Sequence, residues 1–116
     1  MSTISWGRQQ KFTFSSCGSL DTWVAPAIPA VFAVTYQRDP KNKPKAHTVL
    51  YFGESEDLSL HASSIKKRLV ENWEDGSSDD LFVFVLPMTA STKTERARVQ
   101  EQLVLEYQPH ANRPPD

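Results

Sequence analysis

The sequence predicts a small α/β domain in which a three-stranded, mostly antiparallel sheet is flanked by helices, in the order β-β-α-β-α. Three observations support this fold class. Residues 30–37 and 81–86 are rich in β-branched and aromatic residues and apolar on both faces, which is typical of buried strands. Apolar residues recur at helical spacing after residue 58. Thr92, followed three residues later by Glu95, has the sequence of a capping box at the start of a second helix.

The first part of the chain differs from this pattern. Residues 1–29 read as an N-terminal extension packed on the domain, with a short strand at 11–14 and a helical turn at 20–24. The first core strand follows directly. The next segment, 38–47, contains two prolines and three lysines and cannot continue a strand ladder, so it is predicted to be a loop.

The middle of the chain supplies the remaining core elements in sequence order. A strand at 48–53 is expected to pair antiparallel with the first core strand, and an amphipathic helix is expected at 58–74. The segment 74–80, EDGSSDD, is predicted to be a turn. The third core strand, 81–86, is expected to end before Pro87.

The last helix, 92–107, has one unusual position. On a helical wheel of about 100° per residue, Gln100 falls near the middle of the apolar face, whereas Glu101 points away. A polar side chain directed inward is either a hydrogen-bonded core residue or part of a site, and the pattern alone leaves both open. The apolar positions of that face are Val99, Leu103, Val104 and Tyr107.

Composition limits the function classes. The chain has 116 residues, 39% of them hydrophobic and 23% charged, which is typical of one globular domain. A formal net charge of −1 means that polyanion binding would need a local basic patch. The single cysteine, Cys17, excludes an internal disulfide and a multi-cysteine zinc site. The first residues contain no apolar signal segment, so a cytoplasmic location is expected and no membrane partner.

Several short motifs follow one another along the chain. Ala30-Val31-Phe32 and Tyr51-Phe52-Gly53 form two triplets, and His61 lies ten residues after Tyr51. The last helix and its tail supply further matching positions, Arg96, Gln100, Leu103, Val104, Pro109 and Asn112. Together these residues resemble the GIY-YIG nuclease superfamily, with residues 30–113 as the domain.

The resemblance implies which residues occupy the family's catalytic positions. Members of the family use tyrosines from both triplets, an arginine near the phosphate and a glutamate that holds a divalent metal ion. The equivalent positions here are Phe32, Tyr51, His61, Gln100 and Asn112. Phe32 lacks a hydroxyl group, His61 lacks the guanidinium fork, and Gln100 lacks the negative charge on which Mg²⁺ sites normally rest. The motif spacing predicts that Phe32, Tyr51, His61 and Gln100 converge on one shallow cleft.

Two functions remain compatible with these substitutions. The favoured one is a GIY-YIG-like domain that has lost metal-dependent phosphodiester cleavage, needs no cofactor and binds nucleic acid or a protein. The alternative is an active, Mg²⁺-dependent endonuclease that uses Tyr51, His61 and a substituted carboxylate, for which Glu101 is the neighbouring candidate. Nucleic-acid binding would be weak and salt-sensitive. The residues expected to bind it are Lys66, Lys67, Arg68 and Arg96. The alternative for the first three is a solvated helix face.

Overall fold

A computed structural model describes most of the chain, namely residues 3–20, 22–36, 48–71, 81–109 and 112. Seven elements follow one another along these segments. They are β1 (Thr3–Trp6), β2 (Phe12–Ser19), β3 (Ala30–Tyr36), β4 (Thr48–Ser55), α1 (Leu58–Glu71), β5 (Leu81–Pro87) and α2 (Lys93–Tyr107). The predicted loop 38–47 and the predicted turn 74–80 lie outside the described residues, as do Gln37 and residues 72–74.

The strands form one antiparallel sheet in the order β1-β2-β5-β3-β4. The predicted pairing of the first two core strands is confirmed, since β3 and β4 are antiparallel with Ala33 opposite Phe52. β3 also pairs with β5 on its other side. The small α/β class and the two helices are therefore confirmed.

The predicted number of strands is wrong, because the sheet has five strands rather than three. β1 and β2 form a hairpin, and β2 adds to the outer edge of β5 with Ser15 opposite Val85. The helical turn predicted at 20–24 is also absent from the described residues of that segment, where Leu20 instead donates its N–H to the carbonyl of Leu81 at 2.9 Å. The N-terminal segment adds two strands to the sheet because its aromatic side chains, Trp6 and Phe14, are buried in the core.

Each face of the sheet carries one helix. Phe32 and Val34 of β3 point to the side on which α1 packs, together with Leu58 and Leu69. The alternate β3 residues Val31 and Ala33 point to the other side, where α2 packs through two buried residues, Val99 and Leu103. A strand covered on both faces needs apolar residues at every position, and this explains the unbroken apolar run of β3.

The start of α2 is confirmed as predicted. The hydroxyl of Thr92 accepts the Glu95 N–H at 3.2 Å, and the Glu95 carboxylate accepts the Thr92 N–H at 3.1 Å. This capping box sets the beginning of the helix and, with it, the register that buries Val99 and Leu103.

The β1–β2 hairpin loop is held against the C-terminal half of α2. The Gly7 N–H donates to the Tyr107 hydroxyl at 2.9 Å, and the Glu106 carboxylate accepts the N–H groups of Arg8 and Gln9 at 2.8 and 3.3 Å. Gly7 has a φ of +123°, and a Cβ there would collide with the carbonyl oxygen of Gln10, so this tight loop requires glycine. The N-terminal segment is thus joined to the sheet and to the last helix.

Gly53 is the glycine that positions the candidate site, because it makes room for two rings. A Cβ on Gly53 would overlap the tip of the Phe32 ring and lie 2.7 Å from Cε1 of Tyr51.

We expect Gly53→Ala to lower the free energy of unfolding by about 1–3 kcal/mol through overpacking, measured by urea denaturation. In a Phe32→Leu background the added cost of Gly53→Ala should shrink. An equal cost in both backgrounds would contradict this explanation.

Candidate functional site

Tyr51 and Phe32 lie next to each other on the α1 side of the sheet. Their ring centroids are 5.8 Å apart, and a third ring, Trp23, lies 6.5 Å from Phe32. Phe32 is only 2% exposed, whereas Tyr51 is half-buried. Phe32 is therefore a core residue beneath Tyr51, and only Tyr51 of this pair is accessible from solvent.

Arg68 brings a positive charge to Tyr51. Its guanidinium carbon lies 5.3 Å from the centre of the Tyr51 ring, within the range of a cation–π contact. Arg68 lies near the end of α1 and is exposed. The phenol of the second triplet and Arg68, which the sequence predicts as a nucleic-acid-binding residue, therefore form one accessible unit. Their contact was not predicted, because the two residues belong to different elements.

His61 is exposed and also lies on α1. Residues seven apart in a helix point in nearly the same direction, so His61 shares the side of α1 that carries Arg68, about 10 Å further along the axis. Arg68, rather than His61, contacts Tyr51. The neighbouring lysines point in different directions around the helix axis, and Lys66 is half-buried whereas Lys67 is exposed.

Gln100 and Asn112 meet at the backbone of Phe52. The Phe52 N–H donates to Oδ1 of Asn112 at 2.8 Å, and the Phe52 carbonyl accepts Nδ2 of Asn112 at 2.9 Å. The same carbonyl accepts Nε2 of Gln100 at 3.1 Å. Because β4 is the last strand of the sheet among the described residues, these two amides satisfy a backbone edge that none of the described strands covers.

The predicted convergence on one cleft is wrong. Phe32 and Tyr51 pack on the α1 side, whereas Gln100 extends from α2, which covers the opposite side. Phe32 is also too buried to line any cleft. A shallow groove does lie beside α2, and its lining among the described residues is Gln100, Glu101, Val104, Leu105 and Asn112.

Arg96 does not fit its expected role in nucleic-acid binding. It is 3% exposed, and its Nε donates to the Glu54 carboxylate at 3.1 Å. Its Nη1 donates to the carbonyl and the hydroxyl of Ser91, both at 2.9 Å. The guanidinium is thus used to join the start of α2 to the end of β4. Sequence reasoning missed Glu54 as its partner, since 42 residues separate the two.

The positions of the carboxylates decide whether a Mg²⁺ ion fits at Gln100. The Gln100 amide donates to a carbonyl, and the nearby Glu54 carboxylate is bound to Arg96. Glu101 is exposed on the rim of the groove, in the register that the helical wheel predicts. In the described part of the chain, no three His, Cys, Asp or Glu side chains lie close enough to hold a metal ion together. The Gln100 amide and the Glu54 carboxylate, which is paired with Arg96, therefore do not supply the free carboxylate on which a Mg²⁺ site rests.

Two further features concern reactivity and membranes. Cys17 lies in an exposed stretch of β2, yet the partial burial of its sulfur raises the pKa of the thiol, which disfavours the reactive thiolate. Neither helix of the described residues has the length and apolar character needed to cross a bilayer.

Comparison with known proteins identifies no relative, since no family model, curated protein or solved structure matches this chain.

Replacing Gln100 tests its role at the strand edge. Gln100→Glu places a carboxylate against the Phe52 carbonyl, so we expect a loss of about 1–3 kcal/mol in the free energy of unfolding at neutral pH. This repulsion raises the pKa of the introduced carboxyl in the folded state above its unfolded value of about 4.3. Stability is then retained at acidic pH, where the protonated group can donate, and lost as pH rises through the folded pKa.

The matched control is the adjacent, exposed Glu101. Glu101→Gln should leave the urea midpoint at neutral pH unchanged. A Gln100→Glu variant as stable as the wild type at neutral pH would show that the Gln100 amide does not support the edge.

Proposed function

We propose that this protein is a GIY-YIG-like domain that binds nucleic acid without cleaving it. The observation that carries the proposal is the use of two catalytic-position residues as structural groups. Gln100 and Asn112 both direct their amides at the backbone of Phe52. Side chains held in this way support the fold of the site in place of the chemistry that the family performs there.

The pairing of the two triplets supports the family part of the proposal. Phe32 lies directly opposite Gly53 across the β3–β4 ladder, so the last residues of the two triplets face each other. β3 has β4 on one side and β5 on the other, and α2 brings Gln100 to the strand that carries the second triplet. This pairing of the two triplets, together with the contact from α2, supports the family resemblance.

The chemistry of the substituted positions supports the loss of cleavage. Phosphodiester hydrolysis needs a group that activates water and a cation that stabilises the charge of the transition state. Phe32 has no hydroxyl and is enclosed in the core, and Gln100 is a neutral hydrogen-bond donor to a carbonyl. Tyr51 retains the family's phenol, and a phenol by itself does not supply both functions.

Nucleic acid is the ligand that the α1 surface favours. Arg68 over Tyr51 offers a cation for a phosphate beside an aromatic ring, and Lys67 extends the positive charge along the exposed helix. The net charge of −1 supplies no long-range attraction, so binding depends on this local patch and falls steeply with salt.

One observation favours the active endonuclease as a second candidate. Arg68 places a guanidinium beside the Tyr51 phenol, so it could take the role of the family's arginine. His61, at the equivalent position, lacks the guanidinium fork. This candidate would still need a carboxylate that binds the metal ion. Glu101, which is exposed and adjacent to Gln100, is the residue that would supply it.

A cleavage assay separates the two candidates. We expect no Mg²⁺- or Mn²⁺-stimulated cleavage of duplex or branched DNA by the wild-type protein, because a neutral amide leaves the charge of a bound metal uncompensated. The readout is the conversion of labelled DNA on denaturing gels. Metal-dependent cleavage that both Tyr51→Phe and Glu101→Gln abolish would favour the endonuclease instead.

Charge reversal on α1 tests nucleic-acid binding. We expect Lys66→Glu/Lys67→Glu to weaken binding of a short labelled DNA duplex and to reduce the slope of log K against log salt by up to about 2, for two lost phosphate contacts. Fluorescence anisotropy over a salt series measures both quantities.

The matched control changes the same charge on α2. Lys93→Glu/Arg98→Glu alters two exposed cations away from α1 and should leave affinity close to that of the wild type. Equal losses in the two double variants would show that only net charge matters, and unchanged binding in both would exclude α1 as the contact surface.

A further inference from the structure

The outer edge of β4 is occupied by side chains in place of a strand. Phe52 exchanges both of its outward backbone bonds with Asn112, N–H to Oδ1 at 2.8 Å and carbonyl to Nδ2 at 2.9 Å. A residue of a neighbouring antiparallel strand exchanges the same pair of bonds. A carboxamide carries an acceptor and a donor side by side, so the Asn112 side chain substitutes for one residue of an added strand. Gln100 adds a third bond at 3.1 Å.

β4 is a strand that needs such protection. It is eight residues long, and the segment from Val49 to Gly53 contains no charged residue and no proline. Exposed edges of this kind tend to pair with other chains, and natural sheets usually block them with lysine, proline or a covering segment. The one acidic residue of β4, Glu54, is bound to Arg96. Among the described residues, Asn112 and Gln100 are the groups that bond to the middle of this edge.

Asn112 reaches the strand from beyond the end of α2. Gln108 ends the helix in a left-handed conformation with a φ of 48°, and its N–H donates to the Val104 carbonyl at 2.8 Å. Pro109 is buried, and its carbonyl accepts the Asn112 N–H at 3.1 Å. Asn112 thus lies beyond α2 and Gln100 lies within it, so both can be altered without changing any strand of the sheet.

We propose that Asn112 and Gln100 form an edge latch that prevents strand addition at β4, and that β4 of a second copy of this chain pairs there when the latch is removed. A second copy fits because two uncharged Val49–Gly53 segments meet without like-charge repulsion. Antiparallel pairing of two identical edges is also two-fold symmetric, so it closes as a dimer. The latch acts independently of nucleic-acid binding on α1.

Sedimentation velocity of the full chain over a range of concentrations tests the latch. We expect the wild type to sediment as a monomer and Gln100→Ala/Asn112→Ala to shift to a dimer as concentration rises. The control is Gln102→Ala, which loses an amide bond from the same helix to the Gln10 carbonyl at 3.4 Å, far from β4 in the sheet order, and should remain monomeric. Mixed with labelled wild type, the double variant should form no mixed dimers, because the wild-type edge stays covered.

Four results would overturn the proposal. The first is a folded double variant that stays monomeric. The second is equal association of Gln102→Ala, which would make general destabilisation the cause. The third is association with loss of the near-ultraviolet circular dichroism signal, since edge pairing requires the native sheet. The fourth is mixed dimers with the wild type. If the double variant does not fold, Asn112→Ala alone, which keeps the Gln100 bond, is measured with the same criteria.

Discussion

Strand β3 is the element on which both layers of the fold depend, because it is paired along both edges and buried on both faces. Its neighbours are β4 and β5, and the residues from Ala30 to Thr35 are fully enclosed. A strand in this position cannot expose either face to water, so a helix is needed on each side. α1 and α2 meet that need, and their positions bring Tyr51 and Gln100 to opposite sides of the same edge strand.

The candidate site follows from the way that edge strand is covered. Phe52 directs its side chain into the α2 core while its backbone faces outward to two amides. The positions where the family resemblance implies metal-dependent chemistry therefore satisfy hydrogen bonds that would otherwise be lost at the sheet edge. On the other face, Tyr51 keeps its ring beside Arg68. These contacts on the two sides of the edge strand support the proposed domain that binds without cleaving.

The N-terminal segment has a larger role than an appendage would have. Trp6 and Phe14 pack edge to face at 5.1 Å, and Trp6 also meets Phe52 at 5.8 Å. The hairpin loop is then tied to Glu106 and Tyr107 of α2. The two ends of the chain are thus joined around the aromatic core, and this couples the N-terminal hairpin to the strand that carries the candidate site.

The sequence by itself determined the elements whose signals are local. The apolar runs of β3 and β5, the capping box at Thr92 and the inward register of Val99 and Leu103 depend on residues within one or two turns of each other. Only the tertiary structure decided the strand count, the burial of Arg96 and the separation of the site into two halves. Each of these depends on contacts between residues dozens of positions apart. A periodic pattern shows that a side chain faces inward, but it does not show which distant partner that side chain will meet.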